Sequence, residues 1–313
     1  MTRHWTVKQA PRLDGHLALV TGATGGLGYQ TALGLASRGA RVMLAGRNPE
    51  KGFAALARMQ TELPGADASF RLVDMASLDS IASFAHDLAQ ETDRLDILVN
   101  NAGVMGTPRR LETADGFELQ FGTNFLGPFA LTARLRTLLC AAPQGGRVVT
   151  VASLAALSGR IVFDDLQARR RYAPFRAYNQ SKLADLIFAL ELDRQARTHN
   201  WPLHSIAAHP GWSMTDIAAS RLGTKQGLQE RLTRLGAIWA FRLMGQSAAD
   251  GALPIEFAAM AAEARDGGYY GPDGWGERRG HVAEAIIPPA ARDLAIARRL
   301  WAVAERLTGT ALS

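Results

Sequence analysis

Apolar residues recur along this chain in two alternating rhythms. Short, largely apolar runs close on glycine or a polar residue at 16–22 (HLALVTG), 40–46 (ARVMLAG), 68–75 (ASFRLVDM), 95–103 (LDILVNNAG), 146–153 (GRVVTVAS) and 203–211 (LHSIAAHPG). They are too short for helices and read as strands, most of them buried on both faces. Between them, apolar positions three and four apart predict helices over 27–39, 49–63, 77–92, 115–141 and 178–198, with a last one over 289–307. Strands and helices alternating at this spacing predict right-handed βαβ units and a doubly wound parallel α/β sheet with helices on both faces. Ligands of such sheets sit at the carboxyl ends of the strands, and Gly22, Arg47, Asp74, Asn101, Ser153 and Pro210 each follow a strand. There is no internal repeat and no low-complexity linker. One domain is therefore expected over 1–313: a core at 14–211, a less regular substrate-binding lid at 212–247 and an irregular C-terminal extension at 248–313.

Composition narrows this picture a little. Apolar residues at 47% and charged ones at 20% suit a globular chain with a sizeable core. The net charge of +6 is spread out, with no zinc-finger spacing and no basic tract denser than Arg169–Arg171, so no nucleic-acid partner is expected. A single cysteine, Cys140, leaves no intrachain disulfide and no cysteine-built metal site, and no metal is expected. The opening MTRHWTVKQAPRLDGH has no apolar stretch of the secretory kind, which makes a cytoplasmic location the expectation. Residues 17–37 carry no charge, but their five glycines break a helix, so no membrane span is expected.

The chemistry begins at TGATGGLG, 21–28. Glycines at 22, 26 and 28 let the backbone turn tightly and approach a pyrophosphate at the following helix N-terminus. An acidic residue ending the second strand would favour NAD(H); here the strand ends LAGRN, with no acid before Glu50, so Arg47 predicts NADP(H). Asp74 reads as a contact for the adenine amino group or as a cap for the helix near Ser77. Tyr178 and Lys182 lie four apart, on one face of a helix whose core stripe is Leu183, Leu186, Ile187 and Leu190. A tyrosine normally titrates near pH ~10, and a neighbouring ammonium favours its ionised form.

Together these motifs resemble the short-chain dehydrogenases/reductases over about 14–215: TGATGGLG, NNAG at 100–103, Asn124, Ser153, Tyr178 with Lys182, and Pro210–Gly211, in that order. GRNPEKG, GRIVFDDL and AYNQSKLA look most like the retinol-dehydrogenase-like branch, as does the separation of Ser153 and Tyr178, 178 − 153 = 25 positions. The resemblance implies a Rossmann-like fold and hydride transfer between a nicotinamide and a ketone, aldehyde or alcohol. It makes Tyr178 the general acid or base, Lys182 its cationic neighbour, Ser153 a hydrogen-bond donor to the substrate oxygen and Asn124 part of a water-mediated relay. Cofactor contacts carried over are Gly22, Thr24, Gly25, Gly26, Leu27, Gly28, Arg47, Asp74, Met75, Asn101, Ala102, Gly103, Tyr178, Lys182, Pro210, Gly211 and Thr215. Family analogy also suggests a homodimer or homotetramer.

Local chemistry adds detail. Pro128 has no N–H to offer the Asn124 carbonyl, which predicts a kink in that helix. His209 reads as structural, and Asp164–Asp165 as solvated or capping. LGAIWAFRLMG at 235–245 reads as a lid over an apolar substrate, as core, or as a membrane-touching surface. GGYYGPDGWGERRG at 267–280 reads as a glycine-rich loop of open purpose. Two alternatives to carbonyl chemistry stay open: a non-catalytic dinucleotide sensor or scaffold, and reduction of a carbon–carbon double bond.

Overall fold

The computed structural model describes residues 4–213 and 246–312. Of the sequence expectations, Thr215, the segment 235–245 and most of the 212–247 region lie outside the described residues.

All six predicted strands form: β1 (Leu17–Thr21), β2 (Arg41–Gly46), β3 (Ala68–Leu72), β4 (Ile97–Asn100), β5 (Gly146–Val151) and β6 (Leu203–Ala208). Two more, β7 (Tyr269–Pro272) and β8 (Val282–Glu284), complete one sheet in the order β3-β2-β1-β4-β5-β6-β7-β8. Every pairing is parallel except β7 with β8. Chain order reverses between β1 and β4, so a crevice opens at the carboxyl ends of those two strands.

Helices cover both faces: α1 (Gly26–Ser37), α2 (Pro49–Glu62) and α3 (Leu78–Glu91), then α4 (Gly127–Cys140), α5 (Pro174–His199), α6 (Ala248–Met260), α7 (Pro289–Arg292) and α8 (Leu294–Thr308). The period-2 geometry of a strand divides the apolar residues between two cores. Leu19, Leu98, Val148 and Ala207 point to the α3–α4–α5–α8 side, where Phe125, Phe129, Phe188 and Trp301 form an aromatic knot. Val20, Val99, Val149 and Ile206 point to the α1–α2–α6 side. Residue pairs such as Leu19 and Val20 are both fully buried, which is why the strands read as unbroken apolar runs.

Three expectations are corrected. The predicted helix over 115–141 starts later, with a helical turn at Leu119–Phe121 and a π turn at Gly122–Leu126 before α4. The π turn contains Asn124, four residues before the proline that cannot donate to its carbonyl. The 267–280 stretch is not simply a loop, because Tyr269–Pro272 pairs with β6 inside the sheet. The C-terminal part is not irregular: α6 packs on α1, and Arg147 of β5 binds the carbonyls of Ala258 and Ala261 at 3.1 and 2.9 Å, where that helix ends. Among the described residues, no helix is long and apolar enough to cross a membrane.

Candidate active site

The site grows from two neighbouring strand ends. At the end of β1, the buried Thr21 hydroxyl donates to the Val99 carbonyl and accepts from the amides of Asn101 and Ala102, both at 3.0 Å. Asn101 reciprocates with its side-chain amide, which donates to the Thr21 and Gly22 carbonyls at 2.8 and 3.3 Å. Thr21 was not among the expected residues, yet it staples the two turns together. Its one available signal is a hydroxyl at the end of an otherwise apolar strand.

The staple leaves no room for side chains. Gly22 has φ +66°, and a Cβ there would lie 2.8 Å from the Ala102 Cα. A Cβ on Gly28 would lie 2.5 Å from the Gly22 carbonyl oxygen. Gly25 precedes α1 and supplies no side-chain cap, so the first amides of the helix face the crevice uncapped. Thr24, Leu27 and Gly26 complete this turn. Such a cradle fits a pyrophosphate.

Along the same edge, Arg47 is exposed just beyond β2, and Asn48 behind it caps α2 by accepting from the Lys51 amide at 2.9 Å. Asp74 does not cap α3, whose cap is Ser77; its carboxylate accepts instead from the Ala76 amide at 2.9 Å. Met75 is buried in the core, with its carbonyl against Gly127.

Deeper in the crevice the expected catalytic residues converge. Lys182 and Tyr178 lie on α5, with Leu183, Leu186, Ile187 and Leu190 buried as its anchor. The Lys182 ammonium is 6% exposed and donates to the Val151 carbonyl at 2.8 Å, two residues before Ser153. A Cβ on Gly103 would sit 3.2 Å from Asn124 Oδ1 and 3.8 Å from Lys182 Nζ, so these three groups share one corner. The Asn124 side chain accepts from the Val104 amide at 2.7 Å and donates to the Val104 carbonyl and the Ser181 hydroxyl, both at 2.9 Å. It thereby pins the chain after β4 to α5. Ser153 Oγ accepts from the Ala155 amide at 3.2 Å, which starts a 3-10 turn, and its hydroxyl hydrogen remains available to donate.

Two charged residues escaped the sequence reading. Asp185 Oδ2 accepts from Lys182 Nζ at 2.8 Å, and both side chains are buried. Burial pushes the Asp185 carboxyl up to about 6, against the pull of Lys182. Burial would lower the Lys182 ammonium, but Asp185 and Tyr178 outweigh it and hold it above the ordinary lysine range. Glu277 lies beyond β7. It receives His209 Nε2 at 3.1 Å and the Ile286 amide at 2.8 Å, while His209 Nδ1 accepts from the Gly211 amide at 3.2 Å. The fully buried His209 is therefore structural, as expected, and fixes the Pro210–Gly211 turn. β7 also brings Tyr269 to the site. Its hydroxyl is 3.5 Å from the Ser153 carbonyl, and burial raises it well above the ordinary phenol range. Asp165 takes the capping role expected of it, accepting from the amides of Arg169 and Arg170 at 2.7 and 3.1 Å.

Comparison with known proteins agrees with this architecture. The family model of the short chain dehydrogenases matches residues 16–226. Human retinol dehydrogenase 13 is 40% identical over 303 residues, 95% of this chain and 86% of its own length. Mouse polyprenol dehydrogenase is 39% identical over 303 residues, covering 96% of this chain and 85% of its own. A crystal structure of an uncharacterized protein from Mycobacterium Paratuberculosis superposes with a TM-score of 0.80 at 35% identity, covering 99% of this chain and 100% of that one. With its glycine turn, strand order and converging polar residues, this chain belongs to the short-chain dehydrogenase/reductase family, in the retinol-dehydrogenase-like branch.

Proposed function

We propose that the chain is an NADP(H)-dependent oxidoreductase of apolar alcohols and their aldehydes or ketones, with Tyr178 as the general acid or base. The observation that carries this reading is the buried Lys182 ammonium, held under the end of β5 next to Ser153 and one helical turn from Tyr178. A bound nicotinamide would supply the hydride for reduction and receive it in oxidation.

The chain's own residues do the rest. Gly22, Gly26 and Gly28 and the uncapped start of α1 would hold the pyrophosphate, and Asn101 keeps that turn in shape. Arg47, exposed at the end of β2 with no acid beside it in sequence, would pair with a 2′-phosphate. In reduction, the Tyr178 hydroxyl gives its proton to the substrate oxygen; in oxidation, the phenolate takes the alcohol proton. Lys182 places a buried positive charge one helical turn from Tyr178. Ser153 donates a hydrogen bond to the same oxygen as negative charge builds on it.

The substrate class follows from the relatives. Retinol and polyprenol, the alcohols in their names, are both long and apolar. The test is an absorbance assay at 340 nm with NADPH and NADH on all-trans-retinal, a polyprenal and simple ketones, alongside Tyr178→Phe. Turnover with NADPH on the long aldehydes, lost by at least ~10²-fold in the variant, is the expected result. Tight NADPH binding with no turnover on any carbonyl would overturn the reading in favour of a sensor.

A further inference from the structure

Asp185 has no role in the chemistry described so far, and it sits in the middle of it. It follows Lys182 by three residues on α5 and is 1% exposed. One carboxylate oxygen takes the Lys182 ammonium at 2.8 Å; the other is buried with no hydrogen-bond partner among the described residues. A half-satisfied buried carboxylate is costly to keep, so stability alone does not favour it there. Lysine has three donors. Val151 and Asp185 use two of them, which fixes the ammonium and leaves a single N–H to serve the reaction.

We propose that Asp185 is a positioning residue for Lys182: it holds the ammonium against β5 and sets, through its own charge, the pH at which Tyr178 exchanges its proton. The inference rests on the reading of Tyr178 as acid or base. Few other groups compete for control of this corner. From the π turn comes Asn124, which binds the Val104 backbone and donates to Ser181 of α5, whose hydroxyl donates in turn to the Tyr178 carbonyl. From β5 comes a carbonyl, and from β7 the neutral Tyr269 phenol. Among the described residues, Lys182 is the charge that acts on Asp185, and Tyr178 acts in turn on Lys182.

The direction of the effect follows from the signs. An ionised Asp185 cancels part of the field that Lys182 exerts on Tyr178. Asp185→Asn keeps an acceptor for the ammonium and removes the negative charge, so Tyr178 ionises more easily. Seven residues along a helix set the two positions about 10 Å apart along its axis. At an effective dielectric near 20, one charge at that distance moves a titration by about one pH unit.

The expected result is that the acid limb of kcat/KM for alcohol oxidation moves about one pH unit lower in Asp185→Asn. The two profiles should converge below about pH 6, where burial leaves Asp185 protonated. A second readout needs neither turnover nor cofactor. Carbon NMR of the ligand-free protein carrying carboxyl-labelled aspartate should show a carboxyl titrating near pH 6 that is absent in Asp185→Asn. Superimposable pH profiles in a folded variant, with Tyr178→Phe inactive, would overturn the proposal, as would an Asp185 carboxyl that stays protonated throughout the acid limb of the parent protein. A Tyr178→Phe enzyme with full turnover would remove the acid–base reading, and with it the pH-setting role assigned to Asp185.

Discussion

Glu256 offers the sharpest quantitative test of how this fold is held together. It lies on α6, is 4% exposed and has no hydrogen-bond or ion-pair partner among the described residues. Its carboxyl occupies the space that a side chain at Gly34 of α1 would need: a Cβ there would fall 2.1 Å from Glu256 Oε1. The acid is thus sealed in the apolar seam between α1 and α6, and burial pushes it up to about 8 from an ordinary 4.5. The unfolded chain gives up this proton above pH 4.5 while the folded chain keeps it until about 8, so the folded state binds more protons in that window. Stability must therefore fall as pH rises across it, and level off above. The gap of 8 − 4.5 = 3.5 pH units, at about 1.36 kcal/mol each, amounts to roughly 5 kcal/mol above pH 8. At pH 7 the gap is 2.5 units, or roughly 3 kcal/mol. Glu256→Gln removes the ionisation and keeps the shape. It should match the parent near pH 4.5 and then gain roughly 3 kcal/mol at pH 7, a Tm rise of several degrees at roughly 2 °C per kcal/mol. Thermal melts of both proteins at pH 5, 7 and 9 decide it. A Tm difference that stays constant across the three pH values would refute the buried-acid argument.

Three other perturbations probe the site and its supports. On the proposed cofactor preference, Arg47→Ala should raise KM for NADPH by about 10–100-fold, as expected for the loss of one charge-assisted contact, and leave KM for NADH nearly unchanged in initial-rate assays. On the proposed mechanism, Ser153→Ala should lower kcat by about 10²–10³-fold with little change in KM, because the hydrogen bond assigned to it would matter most as charge develops on the substrate oxygen. Burial works to raise the Glu277 carboxyl, but the hydrogen bonds from His209 and the Ile286 amide hold it below the ordinary range, so its contribution is present at neutral pH and lost as pH falls into the carboxylate range. Glu277→Ala should accordingly cost about 2–3 kcal/mol in urea unfolding at pH 7, by stranding His209, and clearly less at pH 3.

What the sequence makes legible is whatever its local chemistry states directly. Five of the first six strands announce themselves because both of their faces are buried, whereas β3 is the partly exposed edge strand, and the glycine turn is legible because its spacing has few other uses. The eighth helix-forming stretch, 294–308, shows its apolar stripe plainly. β7 is different: four residues, Tyr269–Pro272, preceded by two glycines, holding a third and ending in proline, look like a loop, and only the strands on either side, β6 and β8, make them a strand. α6 hides behind Gly251 and an interior Pro254, two residues that argue against a helix until its packing on α1 is known. The charged partners hide for another reason. Asp185 stands three residues after Lys182 just as an ordinary surface pair would, and its meaning comes from burial. Glu277 is 68 positions from His209, and no local pattern joins them.

The π turn at Gly122–Leu126 has a consequence for how this chain tolerates change in length. Such a turn holds one residue more than the regular helix on either side, and each residue of an α-helix advances the azimuth by about 100°. The wider turn takes up that surplus. Were the same residues wound as a regular helix, Phe129 and Leu135 would be turned away from the core by about 100°. Deleting one residue between 122 and 126 would instead let the segment close as a regular helix with Phe129, Leu135 and Leu139 near their present azimuth, and the loss would fall on Asn124 and its hold on Val104. The surplus residue serves the site, not the core. At Gly65 or Gly116, where a Cβ would meet nothing within 4 Å, the chain has room to lengthen, and insertions and deletions among relatives should gather at such turns.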